Sequence, residues 1–156
     1  MLKIRFIVVD RTREPFLRQG EAFYMHRLKR YAHTEWVEIK AARIKKGRTS
    51  GQILTLEGDS IAKKIRPQDY NIALDRSGQS YSSKGLAQHI ERLSHTRSSM
   101  GFIIGGPLGL SKRVIEMSDD SLSLTPLTLT HEMARLILLE QLYRAFTIIN
   151  HEKYHK

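Results

Sequence analysis

The period of apolar positions changes repeatedly along this chain, and each change marks an element. Residues 2–9 (LKIRFIVV) are β-branched and apolar with early alternation, which predicts a strand. From Glu14 to Ala32 the residues Phe16, Leu17, Phe23, Tyr24, Leu28 and Tyr31 recur at helical spacing; Thr12 offers a cap and Pro15 suits a first turn. Trp36, Val37 and Ile39 mark a second short strand. Ile53, Leu54, Ile61 and Ile65 form a second helical face, with Gly58 as its weak point. Tyr70–Asp75 (YNIALD) reads as a buried strand and the following RSGQS as a turn. Leu86, Ile90 and Leu93 give a helix, and Met100–Ile104 a fourth strand that runs into GGPLGL. A short helix from Ser111, a strand over Ser121–Thr125 and a long helix from His131 to about Ile148 follow.

Strands alternating with helices predict an α/β fold, a mostly parallel sheet with helices on both faces. Its length of 156 residues fits one domain spanning 1–156. Ligands in such folds sit in loops beyond the C-terminal ends of strands. Three loops have that placement: after Asp75, at Gly105–Leu110, and at Thr125–Thr130. The last helix departs from an ordinary amphipathic pattern, since Met133, Leu136, Ile137, Leu138, Leu139, Leu142 and Phe146 project in nearly every direction. Burial on two sides, hence an oligomer interface, is the expectation; a strongly apolar core helix is the alternative.

Composition narrows the chemistry. Cysteine is absent, so disulfides, thiolate nucleophiles and cysteine-ligated metals are excluded. No apolar run exceeds five residues, too short for a membrane span, and Lys3, Arg5 and Asp10 interrupt any signal-peptide core. A soluble, cytoplasmic protein is expected. The formal net charge is +10, distributed as +8 over residues 1–78 (17 basic, 9 acidic) and +2 over residues 79–156 (9 basic, 7 acidic). Lys40, Arg43, Lys45, Lys46 and Arg48 fall within nine residues, a solvated basic loop suited to a polyanion. Counterion release would drive such binding; a solubilising surface is the bland alternative.

Several motifs are weaker than they look. Gly105-Gly106-Pro107-Leu108-Gly109-Leu110-Ser111-Lys112 lacks the terminal Gly-Lys-Ser/Thr of a phosphate-binding loop, and it is not GxGxxG. It does supply two glycines against whose backbone a flat ring can lie. His151-Glu152-Lys153-Tyr154-His155 matches the HExxH string of zinc hydrolases, but no third ligand follows it. An exposed tail of stacking, hydrogen-bonding and cationic groups, suited to a splayed base, is the better reading. Ser121–Thr130 contains no ionisable group, so its loop offers backbone and aliphatic surface, fit for an adenine ring. His131 and Arg135 follow one helical turn apart, beside it.

Together IIGGPLGL (Ile103–Leu110), SLTPLTLTH (Ser123–His131), EQLYRAF (Glu140–Phe146) and the terminal YHK (Tyr154–Lys156) resemble the RlmH family, methyltransferases of the SPOUT superfamily acting on bacterial large-subunit ribosomal RNA. LEG (Leu56–Gly58), IALD (Ile72–Asp75) and SSKGLAQHI (Ser82–Ile90) agree in spacing, so the resemblance covers nearly the whole chain. It implies S-adenosyl-L-methionine as cofactor, N3 of a pseudouridine in 23S ribosomal RNA as target, an assembled ribosome as substrate, a homodimer, and a C-terminal trefoil knot. It implies a cofactor pocket at Leu74, Gly105, Gly106 and the stretch Leu124, Thr125, Pro126, Leu127, Thr128 and Leu129. Tyr154 and His155 become the catalytic pair, with His155 as a candidate base and Tyr154 orienting the target ring. His131, Arg135, Arg144 and Lys156 become RNA contacts; no metal and no membrane are implied. Val9-Asp10-Arg11 departs from the Val-Gly-Lys-like family pattern, and Lys153 stands where a proline often precedes the terminal Tyr-His. A noncatalytic basic RNA-binding module on the same fold and a zinc hydrolase are the rival readings.

Overall fold

The computed structural model describes residues 1–43, 45 and 47–156. The elements run β1 (Leu2–Val9), α1 (Pro15–Leu28), β2 (Ala32–Ile39), α2 (Ser50–Ala62), β3 (Tyr70–Ser80), α3 (Ser83–Thr96), β4 (Ser99–Ile104), α4 (Lys112–Met117), β5 (Asp120–Ser123) and α5 (His131–Ile149). The strands form one sheet in the order β2-β1-β4-β3-β5, and every neighbouring pair is parallel. Alternation along the central strands divides the core. Ile4, Phe6, Val8, Met100, Phe102 and Ile104 meet Leu28 of α1, Ile90 of α3 and Leu138, Leu139 and Leu142 of α5 on one face. Ile7, Val9 and Ile103 meet Ile61 of α2 and Val114 of α4 on the other. The α/β expectation, with helices on both faces, holds.

Three boundaries differ from the sequence reading, each for a tertiary reason. α1 ends at Leu28, and the polar stretch from Ala32 belongs to β2; β2 is an edge strand whose hydrogen bonds come from β1, so its exposed positions tolerate His33 and Glu35. RSGQS is not a turn but the continuation of β3. Leu122 pairs with both Leu74 and Gln79, so residues 75–78 bulge out of the ladder. A Cβ at Gly78 would lie 2.7 Å from the Ser121 carbonyl carbon, which is why glycine lets the ladder resume there. β5 stops at Ser123, leaving Leu124 and Thr125 in the loop. Gly58 is no break in α2: a side chain there would meet Ser111 Oγ at 2.8 Å, so its bareness permits close packing of α2 on α4.

Thr49, Ser82, Ser111 and Thr130 cap α2, α3, α4 and α5 by accepting N–H bonds from Gln52, Gly85, Val114 and Met133. Thr12 does not cap α1. Glu14 takes that position without a side-chain bond, and Thr12 turns inward. The entry to α1 is held instead from α5, where Glu132 Oε1 accepts from Arg13 N at 2.7 Å and Glu14 N at 3.1 Å. α5 itself lies between α1 and α3 and against β4, with Leu138, Leu139, Leu142 and Ala145 fully buried. Its many-sided apolar pattern is thus largely used within one chain; Met133, Leu136 and Ile137 stay half-buried. The basic segment 40–48 follows β2; Lys46 lies outside the described residues.

Candidate functional site

The bulge within β3 and the C-terminal ends of β4 and β5 open into a cavity of about 840 Å³. Leu74, Gly105, Gly106, Leu124, Thr125, Leu127, Thr128, Leu129 and His131 line it, so two of the loops singled out in the sequence converge, and the β3 bulge stands where the third, after Asp75, was expected. Pro126 is not among the lining residues. The structure adds Glu14, Leu17, Asp75, Arg76 and Glu132, which sequence reasoning missed. Asp75 closes IALD and Arg76 follows it, where the bulge in β3 brings them to the cavity; Glu14 and Glu132 arrive only because α1 and α5 start side by side.

The loop after β4 is a tight turn. Gly109 N donates to Gly106 O at 2.9 Å, and Gly109 adopts φ +77°, the left-handed region that favours glycine. A Cβ on Gly105 would sit 2.4 Å from the carbonyl carbon and oxygen of Gly109. The bareness of Gly105 is therefore used by the chain's own turn. Gly106 faces the next strand, where a Cβ would lie 3.3 Å from Val9 Cγ1. Across the mouth, Arg76 Nη1 donates to Thr128 Oγ1. Walls of backbone groups and aliphatic side chains with few fixed charges suit a flat, weakly polar ring bearing a polar tail.

The start of α5 forms the polar wall. Burial and the neighbouring Arg135 charge hold the His131 pKa below its ordinary value, keeping the ring neutral. Burial pushes the Glu132 pKa up, but the N–H groups of Glu14 and Arg13 and the cations nearby outweigh it, and the net shift is down. Arg135 is a correction. It was expected to contact RNA, yet it is fully buried, donating through Nη2 to Val9 O at 2.5 Å and through Nη1 to Thr12 Oγ1 at 3.0 Å. A helix period places it beside His131 in projection, but the same period turns it into the seam between β1 and α1.

The terminal residues gather at the other end of α5. Tyr154 Oη donates to Glu140 Oε1 at 3.1 Å, and its ring packs edge-on against Tyr143 with centroids 4.8 Å apart. The Arg144 guanidinium lies 4.8 Å over the Tyr154 ring, donates through Nε to Glu140 at 3.1 Å, and approaches His155 Nδ1 at 3.3 Å through Nη1. Burial, then the Tyr24 and Glu140 oxygens, push the Tyr154 phenol up, so it stays protonated. Lys156 is exposed. The structure brings Tyr154, His155 and Arg144 into contact and leaves His131, grouped with them in the sequence, at the cavity. The sequence did not separate them from the cavity: nine residue steps along α5 from His131 to Glu140 rise roughly 14 Å. The HExxH string loses its geometry, because α5 ends at Ile149 and His151 has φ +55°, so His151 and His155 do not share a helical turn. Among the described residues no group of three or more His, Asp or Glu side chains is placed to hold a metal.

Comparison with known proteins agrees with this geometry. Residues 2–155 match the family model described as "Predicted SPOUT methyltransferase". The chain is 40% identical to the ribosomal RNA large subunit methyltransferase H of Halothermothrix orenii, over 99% of this chain and 100% of that protein. It is 39% identical, at the same coverage, to the protein of that name from Bacillus cereus. Among solved structures, a probable methyltransferase from Bordetella pertussis superposes with a TM-score of 0.57 at 16% identity, covering 92% of this chain and 96% of that one. The tRNA (m1G37) methyltransferase of Aquifex aeolicus gives 0.53 at 15% identity, covering 90% and 69%. These two share the fold. With a family model across nearly all of its length and full-length relatives this similar, the chain belongs to the SPOUT methyltransferases.

Proposed function

We propose that this methyltransferase uses S-adenosyl-L-methionine to methylate N3 of a pseudouridine in large-subunit ribosomal RNA, on the assembled ribosome. The observation that carries the reading is the cavity at the β3 bulge and the ends of β4 and β5, whose glycine turn and charge-poor loop 124–130 fit an adenosyl group. The full-length relatives, ribosomal RNA large subunit methyltransferases, support ribosomal RNA as the substrate. The cofactor supplies an electrophilic methyl group already activated by the sulfonium charge, so the chain's work is binding and orientation. Leu74, Leu124, Leu127 and Leu129 would bury the ring, and the backbone of Gly105–Gly109 and Thr125–Thr128 would supply its polar contacts.

The tail chemistry follows from its hydrogen bonds. Arg144 donates toward His155 Nδ1, which leaves the proton of a neutral ring on Nε2. His155 then faces the target as a donor, able to stabilise the negative oxygen that develops when the ring nitrogen loses its proton. The sequence reading of His155 as base gives way to this role in the proposal, with solvent taking the proton. Tyr154, protonated and wedged by Tyr143, Arg144 and Glu140, orients the base. Because α5 separates this cluster from the cavity of the same chain, the proposed homodimer would let the tail of one copy serve the cavity of the other. The reading places the protein in the cytoplasm with the ribosomes. Mass-spectrometric mapping of ribosomal RNA from cells with and without the gene tests it: one methylated pseudouridine should vanish, and an unchanged modification pattern sinks the assignment. Titration calorimetry with S-adenosyl-L-methionine separates it from a noncatalytic RNA-binding module, which would show no affinity.

A further inference from the structure

A second cleft, about 420 Å³, lies between α1 and the edge strand β2, beyond the end of β1. Its walls mix an aromatic ring with both signs of charge: Arg11, Arg18, Glu21, Met25, Trp36 and Glu38. The segment 10–14 is the partition between cleft and cavity, since Arg11 and Thr12 line the cleft and Glu14 lines the cavity. Asp10 makes the partition turn, with φ +68°, its carboxylate accepting from Arg11 N at 2.9 Å and pairing with Arg13 at 2.8 Å. This is the Asp10-Arg11 departure, which the methyl-transfer reading leaves without a role. The floor is preorganised: Thr12 Oγ1 donates to Glu21 at 2.5 Å and accepts from the buried Arg135 at 3.0 Å.

These groups match a nucleotide. The half-buried Trp36, supported by Phe6 at 5.5 Å between centroids, offers a ring for stacking. Arg11 and Arg18 are exposed and form no ion pair among the described residues, which leaves both for phosphates. Glu38 is exposed, and its carboxylate accepts no hydrogen bond among the described residues. A carboxylate reads two adjacent N–H donors, and guanine alone among the four bases presents them, at N1 and the 2-amino group; each other base sets an acceptor beside its donor. We infer that this cleft is a subsite for a guanine nucleotide of the RNA strand near the methylated one, stacked on Trp36, read by Glu38 and held through its phosphates by Arg11 and Arg18. The inference rests on the reading of RNA as substrate and adds to it a determinant of sequence.

Trp36 is the only tryptophan of the chain, so intrinsic tryptophan fluorescence reports on this cleft. Heptaribonucleotides of uridine, with and without one central guanosine, are titrated into the full-length protein. The guanosine oligomer should quench saturably and bind about tenfold more tightly than the all-uridine one. Glu38→Gln should abolish that preference while binding persists. The Arg11→Ala/Arg18→Ala variant should weaken binding about tenfold and flatten its dependence on salt. Absence of quenching, equal affinity for the two oligomers, or binding unchanged in the double arginine variant overturns the subsite. Calorimetry with S-adenosyl-L-methionine and methyl transfer to large subunits are run on the same preparations. Guanosine preference without methyl transfer leaves the subsite and refutes the functional reading; methyl transfer without the preference refutes the subsite alone.

Discussion

The two ends of α5 solve recognition differently. At its N-terminal end the cavity is shaped mainly by main chain: a turn closed between Gly106 and Gly109, a bulged strand, and a loop free of ionisable side chains from Ser121 to Thr130. At its C-terminal end Glu140, Tyr143, Arg144, Tyr154 and His155 interlock through side-chain hydrogen bonds, an edge-on aromatic pair and a cation over a ring. A backbone-built site is set once the turn forms, and it tolerates little added volume. A side-chain cluster can lose one member and keep the fold. The first kind suits a constant cofactor, the second a reacting base.

The sharpest way to break this contrast is Gly105→Ala. The new methyl group would overlap the Gly109 backbone, which cannot move aside cheaply. Affinity for S-adenosyl-L-methionine should fall below detection by calorimetry; near-normal binding would show that the turn does not shape the cavity. Next in size, Tyr154→Phe combined with His155→Ala should reduce methyl transfer by about a hundredfold or more with cofactor affinity unchanged, measured by single-turnover assays beside calorimetry. A parallel loss of cofactor affinity would merge the two ends into one functional unit. Arg135→Leu should cost about 2–3 kcal/mol in denaturant unfolding by stranding Val9 O and Thr12.

The smallest effect concerns Glu57, behind the cavity loop. Its Oε2 accepts from Ala42 N at 3.1 Å, whereas Oε1, close to Gly106, is buried without a partner among the described residues. Burial raises its pKa, opposed in part by the Ala42 N–H. The folded state therefore holds this proton more tightly than the unfolded chain, so wild-type stability falls as pH rises from the ordinary carboxylate value of 4.5 through the raised one. Glu57→Gln should melt a few degrees higher than wild type at about pH 8 and level with it at about pH 4. A lower melting temperature at the higher pH would mean that the ionised carboxylate has a partner the hydrogen bonds do not reveal.

Much of this was legible in the sequence because it depends on local chemistry. Strand runs such as FIVV and MGFII carry their own signals. So do the glycines of GGPLGL, although they were read as room for a ring when Gly105 makes room for Gly109. What escaped depends on contacts distant in sequence. Nothing near Arg135 marks it as buried, because its partners Val9 and Thr12 lie at the other end of the chain. RSGQS carries the composition of a turn, and only pairing with β5 draws it into the sheet. The adjacency of Tyr154 to Glu140 was within reach, but its distance from the cavity required the direction of the tail after Asn150.

The bond from Glu132 to the backbone of Arg13 and Glu14 also bears on biosynthesis. α1 emerges from the ribosome early, without a side-chain cap of its own, and its entry is secured by a carboxylate more than a hundred positions later. β1 likewise needs β4, far down the chain, as its second neighbour. A nascent chain still lacking α5 has neither the anchor nor the main partner for the apolar side of α1. Cooperative folding thus waits for α5, and truncation anywhere before it should yield chaperone-bound material rather than a smaller domain.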